Sequence, residues 1–132
     1  MKHNRYFGLL LACVTLTAVT WAQSTDIQSQ RYPDVLAVKV TPRGANRFDF
    51  DVTLSSRYDT PQRYADAFRV KDAAGKVYGE RVLLHDHAGE QPFTRDLYGV
   101  TVPPQVKKVI VQGRDRKFGY GGNTADAVLP GR

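Results

Sequence analysis

Apolar and polar residues alternate most regularly between Arg47 and Leu54, in the segment RFDFDVTL. Successive side chains of a β-strand point to opposite faces, so the apolar residues of this segment share one face and the polar residues the other. A helix would distribute the same apolar residues around its circumference. The segment therefore predicts a strand with one face buried in a core.

Six more short segments of strand-forming composition predict a chain of seven strands. The predicted strands are 35–41, 47–54, 65–71, 77–84, 92–98, 106–114 and 123–129. Turn-forming residues such as Pro42, Gly44 and Gly75 separate them. Segment 77–84 alternates least regularly, which is typical of an edge strand. Residues 32–130 are therefore predicted to form an all-β domain, a seven-stranded antiparallel β-sandwich.

The first 22 residues have the pattern of a secretory signal peptide. Basic residues at Lys2 and Arg5 precede an apolar run that extends from Tyr6 to Ala22, and a polar stretch follows. The run is slightly short for a membrane-spanning helix, which needs ~20 apolar residues. We expect cleavage after Ala22, a flexible leader at 23–31, no transmembrane segment after cleavage, and a periplasmic or secreted protein.

An alternative is open at Cys13. The sequence Leu10-Leu11-Ala12-Cys13 loosely resembles a lipoprotein signal, in which the cysteine becomes the lipid-bearing first residue. Leu11 is bulky for its place in that motif, and the apolar run continues well beyond the cysteine. Lipid attachment retains Trp21, the single tryptophan, whereas cleavage after Ala22 removes it.

Composition narrows the chemistry that the exported domain can perform. The chain of 132 residues is 42% hydrophobic and 24% charged, proportions that fit one ordinary globular domain. Its single cysteine lies in the predicted signal peptide, so disulfides, thiol catalysis and thiolate metal sites are excluded from the cleaved domain. Removal of residues 1–22 leaves a net charge of +4, and export argues against a nucleic-acid partner.

Several features resemble known proteins. Seven short strands with Phe68 at the centre of the third resemble an immunoglobulin or fibronectin type III sandwich. The departures are the absence of a cysteine pair, Phe68 where immunoglobulins have tryptophan, and no tyrosine in the sixth strand. The strings YDTPQRYADAFRV, HDHAGEQPFTR and GYGG resemble those of small, uncharacterised exported bacterial proteins, a likeness that implies no catalytic residues.

Antiparallel connectivity predicts that three longer loops meet at one end of the sandwich. These loops are 55–64, 85–91 and 115–122, and rigid scaffolds commonly carry recognition residues on such loops. In the first loop Asp59 is suited to closing a turn, and Tyr58 and Tyr64 are candidate contact residues because they offer large areas with few rotatable bonds. Each loop also has a purely structural interpretation.

The third loop combines basic residues with Phe118 and Tyr120 in the sequence RDRKFGYGG. Aromatic rings interleaved with cations are suited to stacking on sugars and to attracting anions. Phe118 and Tyr120 are therefore candidate binding residues, alongside Tyr58, Asp59 and Tyr64. A solvated hairpin with Phe118 folded onto the core is the structural alternative.

The second loop contains the candidate metal ligands. In an extended segment His85 and His87 project to the same side, and Glu90 can turn back through Gly89 to supply an oxygen. Two imidazoles and a carboxylate suit zinc or copper(II). A histidine pair alone is weakly specific, and the alternative is that both rings are hydrogen-bonded within the loop.

The sequence contains no nucleophile with an accompanying base and no carboxylate pair whose spacing defines a pocket. We therefore expect no enzymatic activity. The favoured hypothesis is an exported, non-catalytic binding module that presents three convergent loops to an envelope protein or glycan. The alternative is periplasmic copper or zinc binding through His85, His87 and Glu90.

Overall fold

The computed structural model describes residues 30–132, so the predicted signal peptide and most of the predicted leader lie outside the described residues. All seven predicted strands are present in this range. They are β1 (Asp34–Gly44), β2 (Arg47–Ser55), β3 (Ala65–Lys71), β4 (Val77–Val82), β5 (Phe93–Thr101), β6 (Lys108–Asp115) and β7 (Gly119–Val128). Among residues 30–132 there is no helix that is long and apolar enough to cross a membrane.

The strands form two antiparallel sheets, which confirms the predicted β-sandwich. One sheet has the order β1-β2-β5 and the other the order β4-β3-β6-β7, so β4 is an edge strand as its irregular pattern predicted. On one side of the sandwich β1 packs against β7, and on the other side β5 lies beside β4. The two sides differ in their packing, and this difference positions the cavity described below.

The core forms where the apolar faces of the two sheets meet. The alternating residues of β2, which are Phe48, Phe50, Val52 and Leu54, are all buried. They pack in one cluster with residues of the opposite sheet, including Phe68, Val70 and Val111. Burial of side chains of this size contributes about 1.5–3 kcal/mol each, so the core is the main source of stability in a domain that has no disulfide.

One polar residue of β2 departs from the predicted alternation. Asp49 was expected on the solvent face, yet it is buried beside an irregularity in the pairing of β2 with β5. Its carboxylate accepts a hydrogen bond of 2.9 Å from the Gly99 N–H and another from Arg43. The hydrogen bond from Gly99 lowers the pKa of Asp49 most, and the bond from Arg43 lowers it further. The carboxylate thus satisfies a backbone donor that the irregular ladder leaves unpaired.

The glycine-rich segment before the last strand was predicted as a loop, and this prediction was wrong. Gly119, Tyr120 and Gly121 are part of β7 and pair with Asp115, Arg114 and Gly113 of β6. The connecting loop is therefore only residues 116–118.

The glycines of β6 and β7 make room for the chain that precedes β1. A Cβ atom built on Gly113 would lie 2.6 Å from Pro33 Cγ, and one built on Gly121 would lie 2.5 Å from the ring of Tyr32. Both distances are shorter than real carbon contacts, so only glycine permits this packing. Pro33 is itself fully buried, which fixes the start of the domain against the four-stranded sheet.

We expect Gly113→Ala to destabilise the domain by about 1–3 kcal/mol, because the rigid proline ring cannot move aside without opening the packing. Gly89→Ala is the matched control, since a Cβ atom there meets nothing within 4 Å. It should change the free energy of unfolding by about 0.5 kcal/mol or less. Urea unfolding measures the stability of both variants, and equal free energies of unfolding would contradict the predicted role of Gly113.

Candidate functional site

The three loops between strands meet at one end of the sandwich, which we call the loop end and define as residues 56–64, 83–92 and 116–118. The first and second loops are joined where the Ser56 N–H donates to Gln91 Oε1 at 2.8 Å. The first and third are joined where the Arg116 N–H donates to the Tyr64 carbonyl at 3.0 Å. The loops therefore form one continuous surface.

Asp59 connects the first loop to the second from a buried position. One carboxylate oxygen accepts the Ala65 N–H at 3.1 Å, and the other accepts the His87 N–H at 2.9 Å. Burial raises the pKa of Asp59, against the opposing effect of these hydrogen bonds. Asp59 was a candidate binding residue, but both of its oxygens are occupied by backbone donors. Its observed role is to hold two loops together.

A buried ion pair connects the third loop to the first. The Nε atom of Arg63 lies 3.2 Å from Asp115 Oδ1, and Asp115 is completely buried. The same aspartate accepts the N–H groups of Lys117 and Phe118, each at 2.8 Å. Its carboxylate therefore shapes the third loop, and its pairing with Arg63 links that loop to the first.

Arg63 also holds the chain that leads into the fold. Its Nη2 atom donates to the carbonyl oxygens of Gln30 and Arg31 at 3.0 and 2.7 Å. Gln30 in turn donates to the carbonyl of Ser55 at 3.1 Å. The N-terminal segment consequently enters the domain at the loop end.

Tyr58 and Tyr64 were candidate contact residues, and both are buried in the structure. The guanidinium of Arg63 covers the Tyr58 ring at 4.0 Å from its centroid. Burial and the neighbouring Asp115 carboxylate raise the pKa of Tyr58, which keeps the phenol neutral. The Tyr64 hydroxyl lies 3.4 Å from the Leu84 carbonyl. In the free protein these rings fill space between the loops and present little area to a partner.

Phe118 is the candidate aromatic residue that is exposed at the loop end. Three cations surround its ring: Arg31 and Arg63 lie 4.8 and 4.9 Å from the centroid, and the Lys117 ammonium lies 5.3 Å away. The negative face of an aromatic ring attracts cations, which explains why they gather here.

Four cations, three in the loop end and one in the segment that enters the domain there, are exposed and form no salt bridge with any residue between 30 and 132. They are Arg31, Arg57, Arg116 and Lys117. We call these four residues together with Phe118 the cationic face. Asp59 and Asp115 are buried, whereas in the second loop Asp86 is half-buried and Glu90 is exposed and paired with Arg95.

Tyr120 does not belong to the loop end, contrary to prediction. It lies on β7, where its ring packs at 3.7 Å from the Arg69 guanidinium and its hydroxyl bonds to Glu80. Burial and Glu80 raise the pKa of Tyr120. The prediction failed because the neighbouring glycines were taken as turn formers, whereas they provide space for Tyr32 and Pro33.

The three predicted metal ligands are not assembled into a ligand set. The rings of His85 and His87 are 4.9 Å apart, but the Glu90 carboxylate binds Arg95 through two contacts of 3.0 and 3.3 Å. Within residues 30–132 no group of three or more histidine, cysteine or acidic side chains is placed to hold a metal ion. A guanidinium thus occupies the carboxylate that a metal would need.

His87 is held as part of the wall of the second loop. Its ring stacks on Phe93 with 3.9 Å between centroids, and its Nδ1 atom is buried without a hydrogen-bond partner. Burial lowers the pKa of His87, and the positive charge of Arg95 lowers it further. The imidazole is therefore neutral in the fold at neutral pH.

Arg31, Arg57 and Arg63 were not recognised as site residues from the sequence. Each is separated from the basic run at 114–117 by long stretches of chain, and only the folded arrangement brings them to one surface. An available signal was that Arg57 and Arg63 lie within the first predicted loop, on either side of Tyr58.

Comparison with known proteins gives one relative and no family assignment. No known family model and no solved structure matches the chain. It is similar to a "Putative lipoprotein" of the halophilic archaeon Halomicrobium mukohataei, with 38% identity over 92 residues. The match covers 70% of this chain and 45% of the relative, so the chain spans less than half of that protein's length.

We expect Asp59→Asn to destabilise the fold by about 1–3 kcal/mol, because an amide has only one acceptor oxygen and leaves the Ala65 or His87 N–H unpaired. Asp126→Asn is the control, since Asp126 pairs with Lys108 at the surface. Its effect should be below about 1 kcal/mol. Denaturant unfolding measures both, and a neutral Asp59→Asn would show that Asp59 does not join the loops.

The lowered pKa of His87 predicts a specific pH dependence of stability. The unfolded chain takes up a proton at the ordinary pKa of 6.5, whereas the folded chain does so only at lower pH. The free energy of unfolding should therefore fall as the pH decreases below about 6.5. His87→Gln should make this decline shallower, and His85→Gln, at an exposed position, should preserve it. Urea unfolding at several pH values measures this dependence. If the free energy of unfolding falls equally steeply with pH in both variants, His87 is not its cause.

Proposed function

We propose that this chain is an exported, non-catalytic binding module whose cationic face binds an anionic polysaccharide of the cell envelope. The observation that supports the proposal most strongly is the cationic face: Arg31 and Lys117 lie over the ring of Phe118, while Arg57 and Arg116 are exposed at the same end of the sandwich and form no salt bridge with any residue between 30 and 132. Interleaved positive charge and aromatic surface attract anions and provide a face for stacking.

Export is supported by two independent observations. The first 22 residues have the pattern of a signal peptide, and the relative is called a lipoprotein. That name favours the alternative in which Cys13 carries a lipid over cleavage after Ala22. In either case the N-terminal segment enters the domain at the loop end through Gln30 and Arg31, so any tether would hold the cationic face toward its attachment surface.

A binding role is favoured over catalysis by the state of the buried acids. General acid–base chemistry needs carboxylates that are free to exchange protons with a substrate. Both oxygens of Asp59 instead accept backbone N–H groups, and Asp115 accepts two backbone N–H groups and pairs with Arg63. The two sheets of three and four strands also support the immunoglobulin-like or fibronectin type III-like architecture, a scaffold that commonly presents binding loops.

A polymer fits the cationic face better than a small ion. The four cations are distributed over three segments of chain and do not line the cavity that the structure contains. A partner with repeated negative charges can contact several of them at once, whereas a single ion would meet each at solvent dielectric, where one contact contributes little.

We expect the Arg116→Ser/Lys117→Ser double variant to bind polygalacturonate about tenfold more weakly than the unaltered exported protein, since two surface contacts contribute up to about 1 kcal/mol each. Lys76→Ser/Lys107→Ser is the matched control, with the same loss of charge at the opposite end of the sandwich. Titration calorimetry in low salt provides the measurement, with neutral dextran as the uncharged polymer.

Equal weakening in the two double variants would contradict the proposal, because attraction would then follow net charge and not the cationic face. Equal affinity for dextran would contradict it as well, because binding would not depend on the charge of the polymer. Full retention of polygalacturonate binding by both variants would exclude the cationic face and direct the search to a protein partner.

A further inference from the structure

A cavity of about 160 Å³ opens beside the edge strand β4, apart from the cationic face. Its wall consists of the end of β4 and the residues that follow it, together with Arg95 from β5. This is the side of the sandwich where β5 lies beside β4.

The polar lining of this cavity is entirely basic. Arg81, Arg95, His85 and His87 contribute to it, and no carboxylate of the described residues does. The carboxylates that pair with the two arginines, Asp96 and Glu90, therefore lie outside the lining. A ligand entering the cavity meets positive charge and imidazole before it meets any acid.

Arg81 has donors available for a ligand. Both of its hydrogen bonds, to the carbonyl and the carboxylate of Asp96, use Nη1. Its Nε and Nη2 groups have no hydrogen-bond partner among residues 30–132. A guanidinium carries five N–H donors in a planar fork that matches the two oxygens of a carboxylate, so Arg81 can hold a second anion without releasing Asp96.

The neighbouring residues determine whether a cation or an anion is preferred in the cavity. A metal cation between His85 and His87 would be repelled by two guanidinium groups, and Glu90 is already bound to Arg95. An anion is attracted by the same groups. The wall is also preorganised, because His87 stacks on Phe93 and its N–H is fixed by Asp59. The histidine loop therefore suits an anion better than a metal.

The apolar part of the cavity lining indicates that the ligand also has an apolar group. Val82 and Leu84 line the cavity and are among the most exposed large hydrophobic residues of residues 30–132, with Leu84 83% exposed. Exposed apolar surface next to convergent polar groups is typical of a ligand site. We propose that this cavity binds a small organic carboxylate, with its charge on Arg81 and its apolar body against Val82 and Leu84.

The probe for this proposal is benzoate, titrated into the purified exported protein and followed through the ring NMR signals of His85 and His87. We expect saturable shifts of both rings with a dissociation constant of about 1 mM. Benzyl alcohol has the same shape without the charge, and sulfate has charge without an apolar body. Both should bind at least about tenfold more weakly than benzoate if charge and apolar contact act together.

Arg81→Gln should weaken benzoate binding about tenfold, and Arg81→Lys should recover part of the affinity through its charge alone. Arg43→Gln is the matched control, because Arg43 pairs with Asp49 away from the cavity. If Arg81→Gln fails to fold, Arg95→Gln replaces it as the test variant. The comparison of benzoate, benzyl alcohol and sulfate on the unaltered protein also tests whether the cavity binds a carboxylate.

Equal binding of benzyl alcohol and benzoate would overturn the proposal, as would saturable zinc binding at the two histidines with no response to benzoate. Retained benzoate affinity in a folded Arg81→Gln variant would overturn it too. The Arg116→Ser/Lys117→Ser variant should bind benzoate normally, so failure of the cavity site is distinguishable from failure of the polysaccharide proposal.

Discussion

The arrangement of the loop end depends on the need of buried backbone N–H groups for acceptors where the strand ladders stop. Asp59 and Asp115 meet that need from inside the fold, where the first accepts from Ala65 and His87 and the second from Lys117 and Phe118. A buried donor without a partner costs about 1–3 kcal/mol, and the hydrogen bonds of Asp59 to Ala65 and His87 are both buried, so this carboxylate offsets two such costs. Asp115 fixes the third loop through its two bonds to Lys117 and Phe118.

This internal use of the acids also determines the charge of the surface. A carboxylate can only accept hydrogen bonds, and in these loops the groups that require acceptors are buried backbone donors. Arginine and lysine can only donate, and their long stems allow the charge to reach solvent over an aromatic ring. The loops therefore direct Asp59 and Asp115 inward and leave Arg57, Arg116 and Lys117 outside. Four exposed cations without a salt bridge among residues 30–132 are thereby gathered beside Phe118 and the first loop.

The sequence predicted the fold well because the information for a half-buried strand is local. The alternation of Phe48, Phe50, Val52 and Leu54 determines which face is buried, whatever the partner strands are. The predictions for individual site residues depended on contacts that no local pattern contains. Tyr58 is buried because Arg63 covers it, and the roles of the glycines near Tyr120 depend on a segment about 90 residues earlier in the chain.

The electrostatics of the loop that contains His85 and His87 also depend on residues that its local sequence does not contain. Histidines in alternating positions followed by a glutamate are typical of a metal site when only their own segment is considered. In the fold, Arg95 comes from the next strand and Arg81 from the preceding one, and both line the same cavity as the two histidines. The two histidines therefore share their cavity with two guanidinium groups from the neighbouring strands, and Glu90 is already paired with Arg95, which is why we propose an anion there and not a metal.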